Sequence, residues 1–247
     1  ATMTDRLDFT ATWDETRQLL RAHGEGVGAI AGAMLFLPDW VANMFMQTEQ
    51  LSDKATISEI AAQWQAMAAA NWYILLPAFL CSLLGTVALY VLLARSDLPK
   101  IGDAIRAALV LLPTYFLAQL LSGLIFGLGL LVLILPGLYL IGRFAPLGAV
   151  IATGQSGVIG SIERTLAITR GNGWVSFLLL FLVMLVAFVV LSVASLAIKL
   201  PLVLVVGPEG IPLVTHALGA FSNMVFSVIT VALSVAIYRQ LTAQPNI

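Results

Sequence analysis

Apolar residues run along this chain in long blocks, and the polar positions fall almost entirely between them. A hydrocarbon layer about 30 Å thick takes about 20 apolar helical residues to cross. Blocks of that length cover 27–46, 73–94, 174–198 and 213–238, each predicting a membrane-spanning helix. Pro38 and Asp39 interrupt the outer end of the first block.

The middle of the chain is harder to divide. Residues 107–142 form one apolar run, too long for one crossing and slightly short for two. The segment Gly123-Leu124-Ile125-Phe126-Gly127-Leu128-Gly129 offers a turn near its centre. Two short helices, 107–124 and 128–142, are therefore expected, with a re-entrant hairpin as the alternative. Either version returns the chain to the side it left.

Orientation follows from the basic residues. With the N-terminus inside, the cytoplasmic segments hold Arg6, Arg17, Arg21, Arg95, Lys100, Arg106, Arg143, Arg164, Arg170 and Arg239; the outer ones hold Lys54 and Lys199. This 10-to-2 division accounts for all 12 basic residues and places both termini in the cytoplasm by the positive-inside rule. Trp40, Trp72, Trp174, Tyr90, Tyr139 and Tyr238 fall near predicted boundaries, where amphipathic rings favour the headgroup zone.

Three linkers carry the marks of interfacial helices. Thr12 and Glu15 match a capping box, followed by Trp13, Thr16, Leu19 and Leu20 on one side, with Arg17 and Arg21 elsewhere. Thr56 and Glu59 match a second, at the head of an amphipathic helix within the outer loop 47–72; its stripe is Ile57, Ile60, Trp64 and Met67. Ile159, Ile162 and Leu166 recur at helical spacing beside Glu163, Arg164 and Arg170. A charged stretch precedes each pair of crossings: Asp14 to Arg21, Asp97 to Arg106 and Ser161 to Arg170. The expected fold is all-α: a polytopic bundle of six transmembrane helices, arranged as three hairpins with cytoplasmic amphipathic lead-in helices, the first being 1–23.

Composition narrows the function. Of 247 residues, 60% are hydrophobic and 10% charged, where soluble domains carry about 25%. The net charge of −1 gives no field to attract nucleic acid. Cys81 stands alone in an apolar run, so neither an intramolecular disulfide nor a multi-cysteine metal site can form, and it reads as a small buried hydrophobe. Residues 1–22 hold Asp5, Asp8, Asp14 and Glu15 and no apolar core of a signal peptide, so the first span is expected to remain as an anchor.

One stretch carries a family resemblance. Leu135-Pro136-Gly137-Leu138-Tyr139-Leu140, then Arg143, is followed by Ser161-Ile162-Glu163-Arg164-Thr165 and by Leu166-Ala167-Ile168-Thr169-Arg170-Gly171-Asn172-Gly173-Trp174. This resembles the membrane domain fused to some glycerophosphoryl diester phosphodiesterases, and the YciC-like bacterial membrane proteins. Ser161-Ile162 stands where that family has Ala-Leu, and Thr165 where it has Ser. The resemblance implies a six-span domain of the bacterial inner membrane. It does not imply phosphodiesterase activity, which belongs to a separate soluble barrel.

Candidate functional residues follow from the same stretch and from the small residues. Pro136 is expected to kink or end a helix near its inner end, with Gly137 admitting a neighbouring backbone. Arg143, Arg164, Arg170 and Arg106 could meet lipid headgroups or a partner, or the acids Glu163 and Asp103. Gly24, Gly28 and Gly32, and the pair Gly123 and Gly127, repeat every four residues and predict close helix packing, within the chain or between copies.

His216, Ser222, Asn223, Ser227, Thr230 and Ser234 mark the last span and Gln119 the third; Asn223, the deeper amide, could join helices or line a small cavity. Asp39 and Lys199 read as outer-end residues, so no ionisable group is expected at mid-depth. His23 and His216 fall on opposite sides, and no catalytic, cofactor or metal constellation emerges. The sequence therefore predicts a non-enzymatic inner-membrane protein that binds lipid or a membrane partner, with a second copy of itself among the partners. The alternatives are a conduit for a lipid or amphiphile, suggested by Pro113 and Pro136 around the middle hairpin, and an accessory subunit of a membrane complex.

Overall fold

The computed structural model describes residues 7–45, 56–95, 100–154, 156–206 and 211–243. Among these residues all regular structure is helical. The amphipathic α1 (Phe9–Ala22) leads into α2 (Gly24–Ala31), a π-helical turn (Gly32–Phe36) and α3 (Leu37–Phe45). The long helices α4 (Ile57–Ala94) and α5 (Ile101–Val132) follow, then the short α6 (Ile134–Phe144), α7 (Leu147–Thr153) and α8 (Gly157–Ile168). Two long helices, α9 (Gly173–Val206) and α10 (Ile211–Thr242), end the fold. Six segments are long and apolar enough to cross a bilayer: Gly24–Phe45, Ser58–Ala94, Ile101–Leu131, Ile134–Thr153, Gly173–Leu202 and Pro212–Thr242. The expected all-α polytopic bundle of six spans is what the chain forms.

Boundaries differ from the sequence expectations in instructive ways. The turn between the third and fourth spans falls at Leu133, in extended conformation, and not within 123–129. An isolated glycine in a helix costs about 1 kcal/mol, whereas an unsatisfied backbone group in hydrocarbon costs several. The helix therefore continues through Pro113, Gly123 and Gly127 to the far side. Pro136 lies in the first turn of α6, where a missing N–H is harmless; it starts a helix near the far boundary and does not end one near the inner side. Gly137 does admit a neighbouring backbone: a Cβ there would lie 2.8 Å from the Leu130 nitrogen.

The amphipathic helix expected before the second span is present, with its Thr56–Glu59 capping box, but it is continuous with that span through a kink at Asn71. The alanine-rich 57–72 stretch contains no glycine or proline to stop a helix. Residues 47–55 of the predicted loop, and Met46 at the end of the first predicted span, lie outside the described residues. The second lead-in segment is the first turns of α5 and not a separate helix; its residues 97–99 are also outside the described set.

At the N-terminus the cap is Asp8, whose carboxylate accepts from the N–H groups of Thr10 and Ala11 at 2.8 and 3.2 Å. The Thr12–Glu15 pair is not a capping box. The Thr12 hydroxyl is buried against Gln240 at 2.6 Å, and Glu15 pairs with Arg239 at 3.0 Å. The buried side of α1 is Thr12, Thr16 and Leu19, while Trp13 is 41% exposed. These contacts fix both described chain ends on one side of the bundle, here termed the terminal face.

The tightest packing lies in the half of the bundle nearest that face. Val87 to Leu93 of α4, most of α7 and Val231 to Ile237 of α10 are almost fully buried there. Pro146 separates α6 from α7, and the Ala145 carbonyl at this break accepts from the Ser234 hydroxyl at 2.7 Å. Gly148 lies directly beneath the Tyr90 ring, whose other neighbour is the Tyr115 ring at 5.9 Å. Arg239 donates to the Leu93 carbonyl at 2.8 Å, capping α4 while holding Glu15 of α1. Toward the opposite face the spans bury less of themselves, and Phe79, Leu80, Phe188 and Val193 are exposed.

A methyl group at position 148 has no room beneath Tyr90, whereas one at position 127 meets nothing within 4 Å. Gly148→Ala should destabilise the detergent-solubilised protein by roughly 1–3 kcal/mol through overpacking. Gly127→Ala should be neutral or stabilising by up to about 1 kcal/mol. Thermal melts of the two variants check the opposite signs.

Candidate functional site

The arginines predicted to meet headgroups divide into two kinds. Arg143 is committed internally: it donates to the Leu166 carbonyl and to the Thr169 hydroxyl at 3.4 Å, with its guanidinium 5.9 Å from the Tyr139 ring centre. Leu166 is in the last turn of α8, so Arg143 caps a helix C-terminus, where orphan carbonyls and the helix dipole both favour a cation. Arg106, Arg164 and Arg170 are exposed. None of the three pairs with Glu163, Asp103 or any other described carboxylate within 4.0 Å.

The predicted packing glycines divide as well. A Cβ at Gly24, Gly28, Gly32 or Gly127 would meet nothing within 4 Å, and at Gly123 only the Phe126 ring at 3.8 Å. These faces are open within the chain. The close approaches are made instead at Gly26, Gly85, Gly129, Gly137, Gly142, Gly148 and Gly173. Cys81 is partly exposed and not fully buried.

A crevice runs between α9 and α10. Its lower part, about 510 Å³, is walled by Leu179, Leu182, Val183, Val186, Val190 and Ile229, and closed at the terminal end by Phe9 and Trp13 of α1. Leu191 also lines the next cavity, about 350 Å³, where Ser192, Ser195, Ser222 and Lys199 gather toward the opposite face. From Leu179 to Leu191 is 12 residues of helix (191 − 179), about 18 Å, slightly more than half a hydrocarbon core. On α1 Arg17 and Arg21 follow Trp13 at i, i+4 spacing, each step turning about 40° around the helix, and with Asp14 and Gln18 they line a neighbouring surface hollow. Arg17 is 3.7 Å from Asp14, and both side chains are largely exposed; Arg21 has no described carboxylate within 4.0 Å.

A second cavity, about 300 Å³, lies among the first, second and sixth spans, lined by Leu35, Asp39, Phe79, Ser82, Asn223 and Ser227 among others. The Asp39 carboxylate accepts from Asn223 at 2.9 Å and Asn43 at 3.0 Å. Asn223 thus joins the last span to the first, one of the two roles expected of it, and it also lines a cavity. Asp39 of the first span stands beside Ser82 of α4 and Asn223 of α10. Asn223 is 16 residues from Arg239 (239 − 223), about 24 Å along α10, toward the far end of a hydrocarbon core of about 30 Å.

Both cavities were hard to anticipate. On α1 the Asp8 cap shows that the helix begins early enough to include Phe9. The Asp39–Asn223 pairing joins residues 184 apart in the sequence, which no local pattern marks. No known protein family matches the sequence, and neither curated proteins nor solved structures give a match.

Removing the α8 cap should be measurable. Arg143→Ala leaves the Leu166 carbonyl without its charged donor and should cost about 1.5–3 kcal/mol of stability, with Arg143→Lys recovering part of it. Arg170→Ala, at an exposed position, should fall within about 0.5 kcal/mol of the parent. Chemical denaturation in micelles compares the three.

Proposed function

We propose that this protein is a non-enzymatic inner-membrane protein that binds an anionic phospholipid in the crevice between α9 and α10. The observation that carries this reading is the succession of side chains along α1. Phe9 and Trp13 roof an apolar groove one leaflet deep, and Arg17 and Arg21 continue from them along the same helix. An acyl chain in the groove would place its phosphate within reach of those two cations, at the depth where amphipathic helices lie. The basic residues collected at the terminal face support a cytoplasmic location for both described ends.

A conduit for lipid is the second reading. It is favoured by Leu191, which lines both the apolar groove and the Lys199 cavity and so sets the two end to end along the α9–α10 seam.

Native mass spectrometry of protein extracted from phosphatidylglycerol-containing bilayers tests the first reading. The parent should retain phosphatidylglycerol. Ala187→Trp, which fills the groove, and the pair Arg17→Gln and Arg21→Gln should each lower retention about tenfold, equivalent to ~1.4 kcal/mol. Equal retention by the parent and both variants, with unchanged melting, would remove the proposal. Faster exchange of a labelled lipid between liposome leaflets, lost in Ala187→Trp, would favour the conduit.

A further inference from the structure

The Asp39 cavity is separate from the α9–α10 crevice and carries a different chemistry. Asn223 and Ser227 face it from one side of α10, while Val225 and Ile229 face the crevice from another. A carboxylate within a membrane span is expensive to keep and is ordinarily balanced by a cation. Asp39 has only two amide donors on its oxygens, and no described Lys, Arg or His lies within 4.0 Å. An ionised carboxylate offers about four lone-pair sites, so acceptor capacity remains.

The surroundings limit what could fill that role. Ser82, Thr86 and Ser227 bring hydroxyl groups to the wall, and Phe79 brings an aromatic ring. A cation therefore finds a carboxylate, neutral oxygens and a π-surface together. The described residues contain no group of three metal-ligating side chains, and about 300 Å³ is far more than a bare ion needs. Asp39 follows the π-helical turn Gly32–Phe36, and Leu35 of that turn also lines the cavity. Such single-turn departures from α-helix recur at functional positions.

We propose that this cavity binds a primary ammonium group, taken up by the Asp39 carboxylate of the first span. Three N–H donors of one ammonium match the free carboxylate lone pairs and the hydroxyl oxygens of the wall; a quaternary ammonium has no such donors. The ammonium can belong to an aminophospholipid headgroup or to a soluble amine.

The test uses the full chain in nanodiscs containing equal phosphatidylethanolamine and phosphatidylcholine, with retained lipid measured by native mass spectrometry, and in micelles with ethanolamine. Retention of phosphatidylethanolamine about tenfold above phosphatidylcholine, lost in Asp39→Asn, supports the proposal with a lipid source. Binding of ethanolamine in micelles without lipid preference, also lost in Asp39→Asn, supports it with a soluble source. Should Asp39→Asn fail to fold, Ser227→Leu fills the cavity and keeps the carboxylate, and must abolish the same binding. Equal retention of both lipids with no ethanolamine binding, or a preference unchanged in a folded Asp39→Asn or Ser227→Leu, overturns it. Ala187→Trp, which blocks the other crevice, should leave the preference intact, so failure at one site is distinguishable from failure at the other.

Discussion

The ring of Tyr90 occupies a hollow that exists because residue 148 has no side chain, and Tyr115 closes it from the other side. Around that contact α4, α7 and α10 approach closely enough to bury nearly every side chain between them. In lipid there is little hydrophobic drive to bring helices together, so close van der Waals approach at small residues carries much of the association. The break at Pro146 allows this. It frees α7 to follow α4 and α10, and the Ala145 carbonyl beside it accepts from Ser234. The loose packing toward the opposite face is the complement of this arrangement, and the Asp39 and Lys199 cavities lie in that direction.

Two arginines illustrate how polar groups are distributed in such a setting. Arg143 ends α8 and Arg239 ends α4, each by donating to a carbonyl that its own helix cannot satisfy. With little water to serve those carbonyls, a guanidinium is most valuable there. The exposed Arg106, Arg164 and Arg170 have no such task among the described residues.

The spans themselves were legible from hydropathy, because the length of a crossing is set by the bilayer. The Thr56–Glu59 cap was legible because its chemistry is local. What escaped was decided by tertiary context. Gly123 to Gly129 looked like a turn, yet a turn there would strand backbone groups in hydrocarbon, so the reversal waits until Leu133. Gly24, Gly28 and Gly32 have the spacing of a packing seam but face open space, while the tight glycines at 142, 148 and 173 follow no repeat. The pairing of Asp39 with Asn223 depends on which residues of α4 and α10 stand beside it, a relation absent from any single helix.

The central functional claim is that the α9–α10 crevice beneath Phe9 and Trp13 is shaped for one lipid tail. A density map of the protein in phosphatidylglycerol nanodiscs addresses it most directly. The account predicts elongated density between α9 and α10 from the level of Leu179 to that of Leu191, with headgroup density beside Arg17 and Arg21. A crevice empty of density while annular lipids are resolved elsewhere, or one closed by direct contact of α9 with α10, would contradict it.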